Sequence, residues 1–239
     1  MEPGDRMTDA FTPASVVIVA MEEEAAPFLD RADRVGDPLS RAHGMRRDLV
    51  IGGVPITLIR AGIGFANATA GAAYAYYTFG PDVPLISAGS AGGLAPGIEV
   101  GHVIVGSRYV NMNADATAFG YSLGQVPGMP ADYAGDLALT RLALDTPHDE
   151  TVHAGVIGSS EVFVTAPRAL QFREQFPEVV AVDMESAAVA QFAHTHGQTF
   201  LSVRAISDLC APDGTEFLTH LDGAAARSAA VVAAVVAVV

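Results

Sequence analysis

Seven short runs of apolar, mostly β-branched residues recur along the chain, and they constrain its fold more than any other feature. Their apolar character is continuous rather than alternating, which is typical of strands that are covered on both faces of a sheet. The pattern predicts strands over residues 16–20, 56–60, 83–87, 102–107, 154–159, 179–182 and 199–205.

Ala-rich segments that favour helix lie between several of these runs. They predict helices over residues 65–77 and 184–196, with Gly197 as a left-handed cap of the second helix. Strand and helix therefore alternate, which indicates an α/β fold. We expect a single three-layer α/β/α domain over residues 15–239, with a twisted mixed, largely parallel central sheet flanked by helices, preceded by a loose tail over residues 1–14.

Composition excludes several classes of partner. Half of the 239 residues are apolar, so the chain can bury a large core, while a net charge of -14 disfavours nucleic acid and anionic membrane surfaces. The Ala/Val stretch over residues 228–239 is too short to span a membrane and predicts a closing helix. The single cysteine, Cys210, and a polar N-terminus without signal-peptide features indicate the cytoplasm.

Two further readings are disfavoured by residue spacing. No His/Cys cluster has the spacing of metal ligands, so we expect no metal. The glycines Gly62 and Gly64 begin like a dinucleotide fingerprint, but Asn67 stands at the third glycine position and no acid ends the following strand. We therefore expect no nicotinamide or flavin cofactor.

Polar residues follow several of the predicted strands. Carboxylates stand at Glu24, Glu185 and Asp208, and strand ends gather around one crevice in largely parallel sheets. Acids at the start of a helix also complement its macrodipole, and Asp208 could be an ordinary helix cap. The Gly-rich segment over residues 89–96 predicts either a loop that approaches a ligand or a plain turn.

Six segments, taken together and in order, make the chain resemble the nucleoside phosphorylase and nucleosidase superfamily, most closely the 5'-methylthioadenosine/S-adenosylhomocysteine nucleosidases. They are residues 20–24, 61–64, 89–96, 115–121 with 124–128, 182–185 and 204–208. The resemblance implies hydrolysis of the N-glycosidic bond of methylthioadenosine, S-adenosylhomocysteine or a related 5'-modified adenosine. It also implies a place in methionine salvage and nucleoside catabolism, with a nucleoside and water as the small-molecule partners.

The resemblance also implies residue roles. Asp208, held by Ser207, protonates adenine N7, and Glu24 orients the attacking water. Glu185 accepts hydrogen bonds from the ribose hydroxyls. Further substrate-binding residues implied in this way are Met21, Ile63, Ser90, Ala91, Gly92, Phe163, Val164, Val182, Met184, Arg204 and Phe217.

Relatives of this kind are homodimers, so the resemblance implies that Ala116, Phe119 and Pro127 close the partner's pocket for the 5' substituent. The chain departs from the pattern at Met112-Asn113, where relatives carry His-Asp. It also departs at Asp183, which replaces Glu, and at Glu161, which replaces Asp. These departures leave the preferred 5' substituent open.

The implied roles fit the chemistry of breaking a ribosyl C–N bond. The transition state resembles an oxocarbenium ion, which is stabilised by a protonated leaving base and nearby negative charge. Glu24 would repel phosphate and favour water. Three alternatives stay open: a phosphorolytic purine nucleoside phosphorylase, a 6-amino-6-deoxyfutalosine nucleosidase, and a non-catalytic nucleoside-binding protein.

Overall fold

A computed structural model describes residues 11–41, 44–211 and 214–238. The strands are β1 (Ser15–Val19), β2 (Arg34–Val35), β3 (Leu39–Arg41), β4 (Gly44–Ile51), β5 (Val54–Arg60), β6 (Leu85–Gly93), β7 (Val103–Asn111), β8 (Tyr133–Ala134), β9 (Val152–Ser159), β10 (Val179–Asp183) and β11 (Phe200–Asp208). The helices are α1 (Glu22–Arg31), α2 (Phe65–Phe79), α3 (Leu137–Asp145), α4 (Ala166–Gln175), α5 (Ser186–His196) and α6 (Thr215–Val236).

The strands form one mixed sheet in the order β10-β9-β7-β11-β6-β1-β5-β4-β2, with β3 beside β4 and β8 beside β7. Pairing is parallel from β5 through β1 and β6 to β11, and again from β7 through β9 to β10. β10 also pairs antiparallel with the end of β6, which curls this half of the sheet into a closed loop of strands. The predicted α/β architecture with a mixed, helix-flanked sheet is confirmed.

Alternate residues of β1 point into two different cores. Val17 and Val19 pack with α1, α3 and α6 on one face of the sheet. Val16 and Ile18 pack with α2 and α5 on the other face. A strand buried on both faces needs apolar residues at every position, which is why the continuous apolar runs predicted these strands.

The seven predicted strands correspond to β1, β5, β6, β7, β9, β10 and β11, and the two predicted helices correspond to α2 and α5. Gly197 ends α5 with φ 65°, the left-handed conformation expected of a glycine cap. The prediction of a loop from residue 89 was wrong, because β6 continues to Gly93. The glycines there let β10 and β11 pack closely against this end of β6.

Several elements had no clear signal in the sequence. β4 carries Arg46, Arg47 and Asp48 in a half-exposed strand near the sheet edge, so its pattern is not apolar. α4 contains Pro167 in its first turn and a largely polar surface. Burial on one side only was enough to stabilise these elements, because tertiary packing outweighs weak local propensity.

Of the predicted tail, residues 1–10 lie outside the described residues, while the Ala14 amide donates to the Pro55 carbonyl (2.8 Å). The predicted closing helix is the second half of α6, and Val239 lies outside the described residues. The loop over residues 120–132 is tied down by the Arg108–Asp132 ion pair (2.9 Å). Among the described helices, none combines the length and apolar character that crossing a membrane requires.

Candidate active site

A cleft with a cavity volume of about 160 Å³ opens where β1, β6, β10 and β11 end, which is the usual place of a ligand site in a largely parallel sheet. Its lining is Ala20, Met21, Glu24, Ile63, Ser90, Ala91, Gly92, Val162, Phe163, Val164, Val182, Asp183, Met184, Glu185, Ser207, Asp208, Cys210 and Phe217. The lining is mostly apolar but contains four carboxylates, all of them buried. Burying a carboxylate costs free energy unless it is paired or hydrogen-bonded, so the partners of each carboxylate bear on its role.

Glu24 is fixed at the bottom of the cleft by four hydrogen bonds. Its Oε2 accepts from the amides of Ala20 (2.9 Å) and Met21 (3.3 Å), and its Oε1 accepts from the Ser90 amide (2.9 Å) and hydroxyl (3.1 Å). Three of these donors are main-chain groups and cannot move away. The Ser90 hydroxyl can rotate, so it is the donor that a water molecule can replace.

Gly89 allows this approach because it has no side chain. A Cβ atom at Gly89 would lie 2.3 Å from Glu24 Oε1 and 2.7 Å from Arg204 Nη1, and the residue has φ 154°. Glu24 and Arg204 therefore come close together only over a glycine. Arg204 therefore lies near Glu24, across the backbone of Gly89.

Arg204 lies fully buried behind the cleft, outside its lining, and its guanidinium contacts Asp183 and Glu185. Its Nε is 2.9 Å from Asp183 Oδ2, its Nη1 is 3.6 Å from Glu185 Oε2, and its Nη2 donates to the Ser87 hydroxyl at 2.7 Å. A buried guanidinium without such partners would be strongly destabilising. Arg204 therefore neutralises the carboxylates from behind instead of lining the cleft.

Asp183 has the most hydrogen-bond partners of the four carboxylates. It accepts from the hydroxyl of Ser159 (2.5 Å), and from both the hydroxyl and the amide of Ser186 (amide 3.2 Å), in addition to its ion pair with Arg204. It thereby satisfies the start of α5, a role that the sequence did not indicate. Little capacity remains on either oxygen for a ligand.

Glu185 has fewer partners and faces the cleft. Its Oε1 accepts from the Gly64 amide (2.9 Å) at the start of α2, and its Oε2 accepts from the Met184 amide (3.2 Å). Burial raises the pKa of Glu185 to about 7, opposed by the positive charge of Arg204. Glu185 can therefore change its protonation state near neutral pH.

Asp208 ends β11 and has two donors among the described residues. Its Oδ1 accepts from the Cys210 amide (2.8 Å), and its Oδ2 accepts from the Ser207 hydroxyl (2.9 Å). Burial raises the pKa of Asp208 above its ordinary value, against these two hydrogen bonds. Asp208 caps no described helix, so the alternative of an ordinary helix cap does not apply.

Two aromatic rings stand at the mouth of the cleft. Phe163 and Phe217 meet edge to face, with ring centroids 5.5 Å apart, and Phe163 is 43% exposed. Val164, next in the chain, is buried and lines the same wall. An exposed ring beside a carboxylate-lined cleft offers a flat surface for a planar ligand.

The departures from the family pattern lie together beside this wall. Asn113 accepts from the Glu161 amide (2.7 Å) and donates to the Ser160 hydroxyl (3.2 Å). Glu161 in turn accepts from the Phe65 amide (3.1 Å) at the start of α2, and Met112 is buried. These residues connect the loop after β7 to the rim of the cleft.

Almost all predicted site residues meet in this cleft, with Arg204 behind it. Ala116, Phe119 and Pro127 lie outside its lining, and Phe119 is 84% exposed. Sequence reasoning missed four lining residues, Ala20, Val162, Asp183 and Cys210, each of which stands next to or two positions from a predicted one. No group of acidic, His or Cys side chains within residues 11–41, 44–211 and 214–238 has a geometry suited to a metal ion.

Comparison with known proteins agrees with this geometry. The family described as the phosphorylase superfamily matches residues 15–237. A 5'-methylthioadenosine/S-adenosylhomocysteine nucleosidase of Anoxybacillus flavithermus is 37% identical over 222 residues, covering 90% of this chain and 94% of that protein.

Solved structures are similar over the same length. The Neisseria meningitidis 5'-methylthioadenosine/S-adenosylhomocysteine nucleosidase in complex with methylthio-immucillin-A has a TM-score of 0.89 at 35% identity, covering 94% of this chain and 99% of that one. The Streptococcus pneumoniae enzyme in complex with 8-aminoadenine has a TM-score of 0.88 at 30% identity, with the same coverage. This chain therefore belongs to the phosphorylase superfamily and, within it, to the 5'-methylthioadenosine/S-adenosylhomocysteine nucleosidases.

Proposed function

We propose that this protein hydrolyses the N-glycosidic bond of 5'-methylthioadenosine and S-adenosylhomocysteine, releasing adenine and the 5'-substituted ribose. The observation that carries the proposal is the difference among the cleft carboxylates. Glu24 is held by four donors, Glu185 is bound to the start of α2, and Asp208 has two donors and a raised pKa. Hydrolysis needs a group for water, a group for ribose and an acid for the leaving base, and these three environments suit those roles.

Asp208 suits the role of the acid. As the C1'–N9 bond breaks, its electron pair passes to the purine, and N7 receives the proton of Asp208. Burial raises the pKa of Asp208, which favours its protonated form relative to that of an ordinary aspartate. The Ser207 hydroxyl can donate to the aspartate that remains.

Glu24 suits the role of the group that orients water. Water that replaces the Ser90 hydroxyl at Glu24 Oε1 would attack C1' and give its proton to the carboxylate. Glu185 faces the cleft with free acceptor capacity for the ribose hydroxyls, and Phe163 offers its ring to the base.

Water is favoured over phosphate by the charge of the cleft. Its described lining contains four carboxylates and no Lys or Arg side chain, and the nearby Arg204 is engaged by Asp183, Glu185 and Ser87. Phosphate in this place would meet carboxylates and no described Lys or Arg side chain that is free to bind it. The phosphorolytic alternative is therefore disfavoured.

The test is release of adenine from methylthioadenosine, S-adenosylhomocysteine and 6-amino-6-deoxyfutalosine, each with and without phosphate. We expect phosphate-independent adenine release from the first two nucleosides. Release that requires phosphate would establish a phosphorylase. Release from the futalosine derivative alone would establish that nucleosidase, and tight binding of adenosine analogues without turnover would establish a binding protein.

A matched pair of variants on α1 tests the role of Glu24. Glu24→Gln should lower kcat by about a hundredfold, since a neutral amide cannot take a proton from water. Glu23→Gln changes the neighbouring, exposed acid and should leave kcat within about twofold of the wild-type value. Equal effects of both substitutions on kcat would reject the assignment.

We further propose that residues 15–239 act as one domain and that the protein is a cytoplasmic homodimer engaged in methionine salvage. The exposed ring of Phe119, beside Ala116 and not far from Pro127, supports a contact with a partner subunit.

Sedimentation at micromolar concentration should give the mass of a dimer. Phe119→Asp should shift it toward the monomer and raise KM, because the ring would no longer close the partner's cleft.

A further inference from the structure

Cys210 has an unusual backbone conformation at the edge of the cleft. Its φ is 56°, and it is the one residue other than glycine with positive φ among the described residues. Such a conformation is unfavourable for most L-residues and is tolerated where the surrounding structure imposes it. At Cys210 the conformation turns the amide back toward Asp208, two positions earlier, where it donates to Oδ1 at 2.8 Å.

The thiol group itself has no evident chemical part. It is buried against Gly92, where an added Cβ atom would lie 2.8 Å from Sγ. Burial raises the pKa of the thiol to about 12, so the group stays protonated at neutral pH and offers neither a nucleophile nor a charge. The contribution of Cys210 therefore lies in its main chain.

The two oxygens of Asp208 differ in the partners they have. Oδ1 meets an amide, which can only donate, so a proton on Oδ1 would oppose the Cys210 N–H. Oδ2 meets the Ser207 hydroxyl (2.9 Å), which has a second acceptor in the Ala91 carbonyl (3.2 Å). When Oδ2 carries a proton, the hydroxyl can donate to Ala91 instead.

We propose that Cys210 is a positioning residue for Asp208, whose left-handed main chain fixes Oδ1 as an acceptor and so assigns the transferable proton to Oδ2. This inference rests on the proposed function only for the use made of that proton. The different hydrogen-bond partners of Oδ1 and Oδ2 are present whether or not the protein turns over a nucleoside.

Substitutions at Cys210 separate this role from simple packing. Ser and Thr differ by one methyl group, and the β-branched residue resists positive φ. Gly and Ala differ by the Cβ atom, which makes positive φ less favourable for Ala than for Gly. If Cys210 acts by positioning, kcat of Cys210→Ser should be about tenfold higher than kcat of Cys210→Thr. In the same case, kcat of Cys210→Gly should be at least as high as kcat of Cys210→Ala. Packing predicts the reverse order within the second pair, because Gly leaves the larger void.

The pH dependence gives a second readout, in the same variants. Loss of the amide donor raises the pKa of Asp208, so the alkaline limb of kcat should move to higher pH in Cys210→Thr even as kcat falls. KM should change less than kcat. A lowered kcat with an unmoved alkaline limb would overturn the inference.

A measurement without turnover keeps the inference separate from the proposed function. Carboxyl-carbon NMR of Asp208 in the free protein should report a higher pKa in Cys210→Thr than in Cys210→Ser. Equal values in the two variants would overturn the positioning role even in a fully active enzyme. A shift between them in a protein that releases no adenine would support positioning and reject the hydrolase instead.

Discussion

Asp183 and Asp208 end two strands of the same sheet, and their surroundings differ sharply. Asp183 accepts from two serine hydroxyls and main-chain amides and pairs with a buried guanidinium. Within the part of the chain that the structure describes, Asp208 has two donors and no cation in contact. A carboxylate with every lone pair occupied holds structure together, whereas a carboxylate with free capacity and a raised pKa is available for chemistry. The number of partners, not the position after a strand, separates the two roles.

The largest expected effect is on stability, at Asp183. Asp183→Ala leaves the buried Arg204 without its closest carboxylate, so the free energy of unfolding should fall by about 3–5 kcal/mol. Urea denaturation measures this, with Asp222→Ala on the exposed surface of α6 as the control. The double variant Asp183→Ala/Arg204→Met should recover part of the loss. A loss below about 1 kcal/mol would mean that the two aspartates do not differ as described.

The next effect is on catalysis, at Asp208. Asp208→Asn keeps an acceptor for the Cys210 amide but has no proton to give, so kcat should fall by about a hundredfold or more. The free energy of unfolding should stay within about 1 kcal/mol of the wild-type value, in contrast to Asp183→Ala. Adenine release and calorimetric binding of a non-hydrolysable analogue check this, with Asp222→Asn as the control. Near-normal turnover would remove Asp208 from the role of acid.

A third effect depends on pH and concerns Glu185, which lies between these extremes. Its pKa is raised from 4.5 to about 7 in the folded protein, so the folded state keeps a proton that the unfolded state has released between these values. Its favourable contribution is complete below about pH 4.5 and is lost as pH rises through 7. The stability of wild type relative to Glu185→Gln should therefore decline over this window, by up to ~1.4 kcal/mol per pH unit.

Denaturation curves at several pH values measure this decline. Glu23→Gln serves as the control and should differ from wild type by a constant amount, since that side chain is exposed. Parallel curves for Glu185→Gln would show that burial and Arg204 cancel at this site.

The sequence could predict the doubly covered strands, because burial on both faces demands continuous apolar residues. It could not predict β4, in which Arg46 and Asp48 pair along a half-exposed strand. The cleft carboxylates Glu24, Glu185 and Asp208 were found from strand ends and family resemblance. The resemblance implied that Ser207 holds Asp208, and this hydrogen bond is present. The bond from the Gly64 amide to Glu185 was not predicted, since the two residues are distant in sequence.

Cys210 shows the same limit at a single residue. A thiol two positions after an acid reads as apolar filling, and positive φ is not expected of cysteine. The segment that drew attention to this site ends at Asp208, two residues before Cys210. Local sequence carried the chemistry of this segment but not the backbone turn that orients it.

The start of α2 has a consequence for the choice among adenine compounds. The amide of Gly64 holds Glu185, and the amide of Phe65 holds Glu161. A helix start of this kind would otherwise be a ready binding site for a phosphate group. With both amides occupied by the protein's own acids, a nucleotide would bring its phosphate toward two carboxylates. We expect the enzyme to reject nucleotides by charge before the shape of the 5' group is tested.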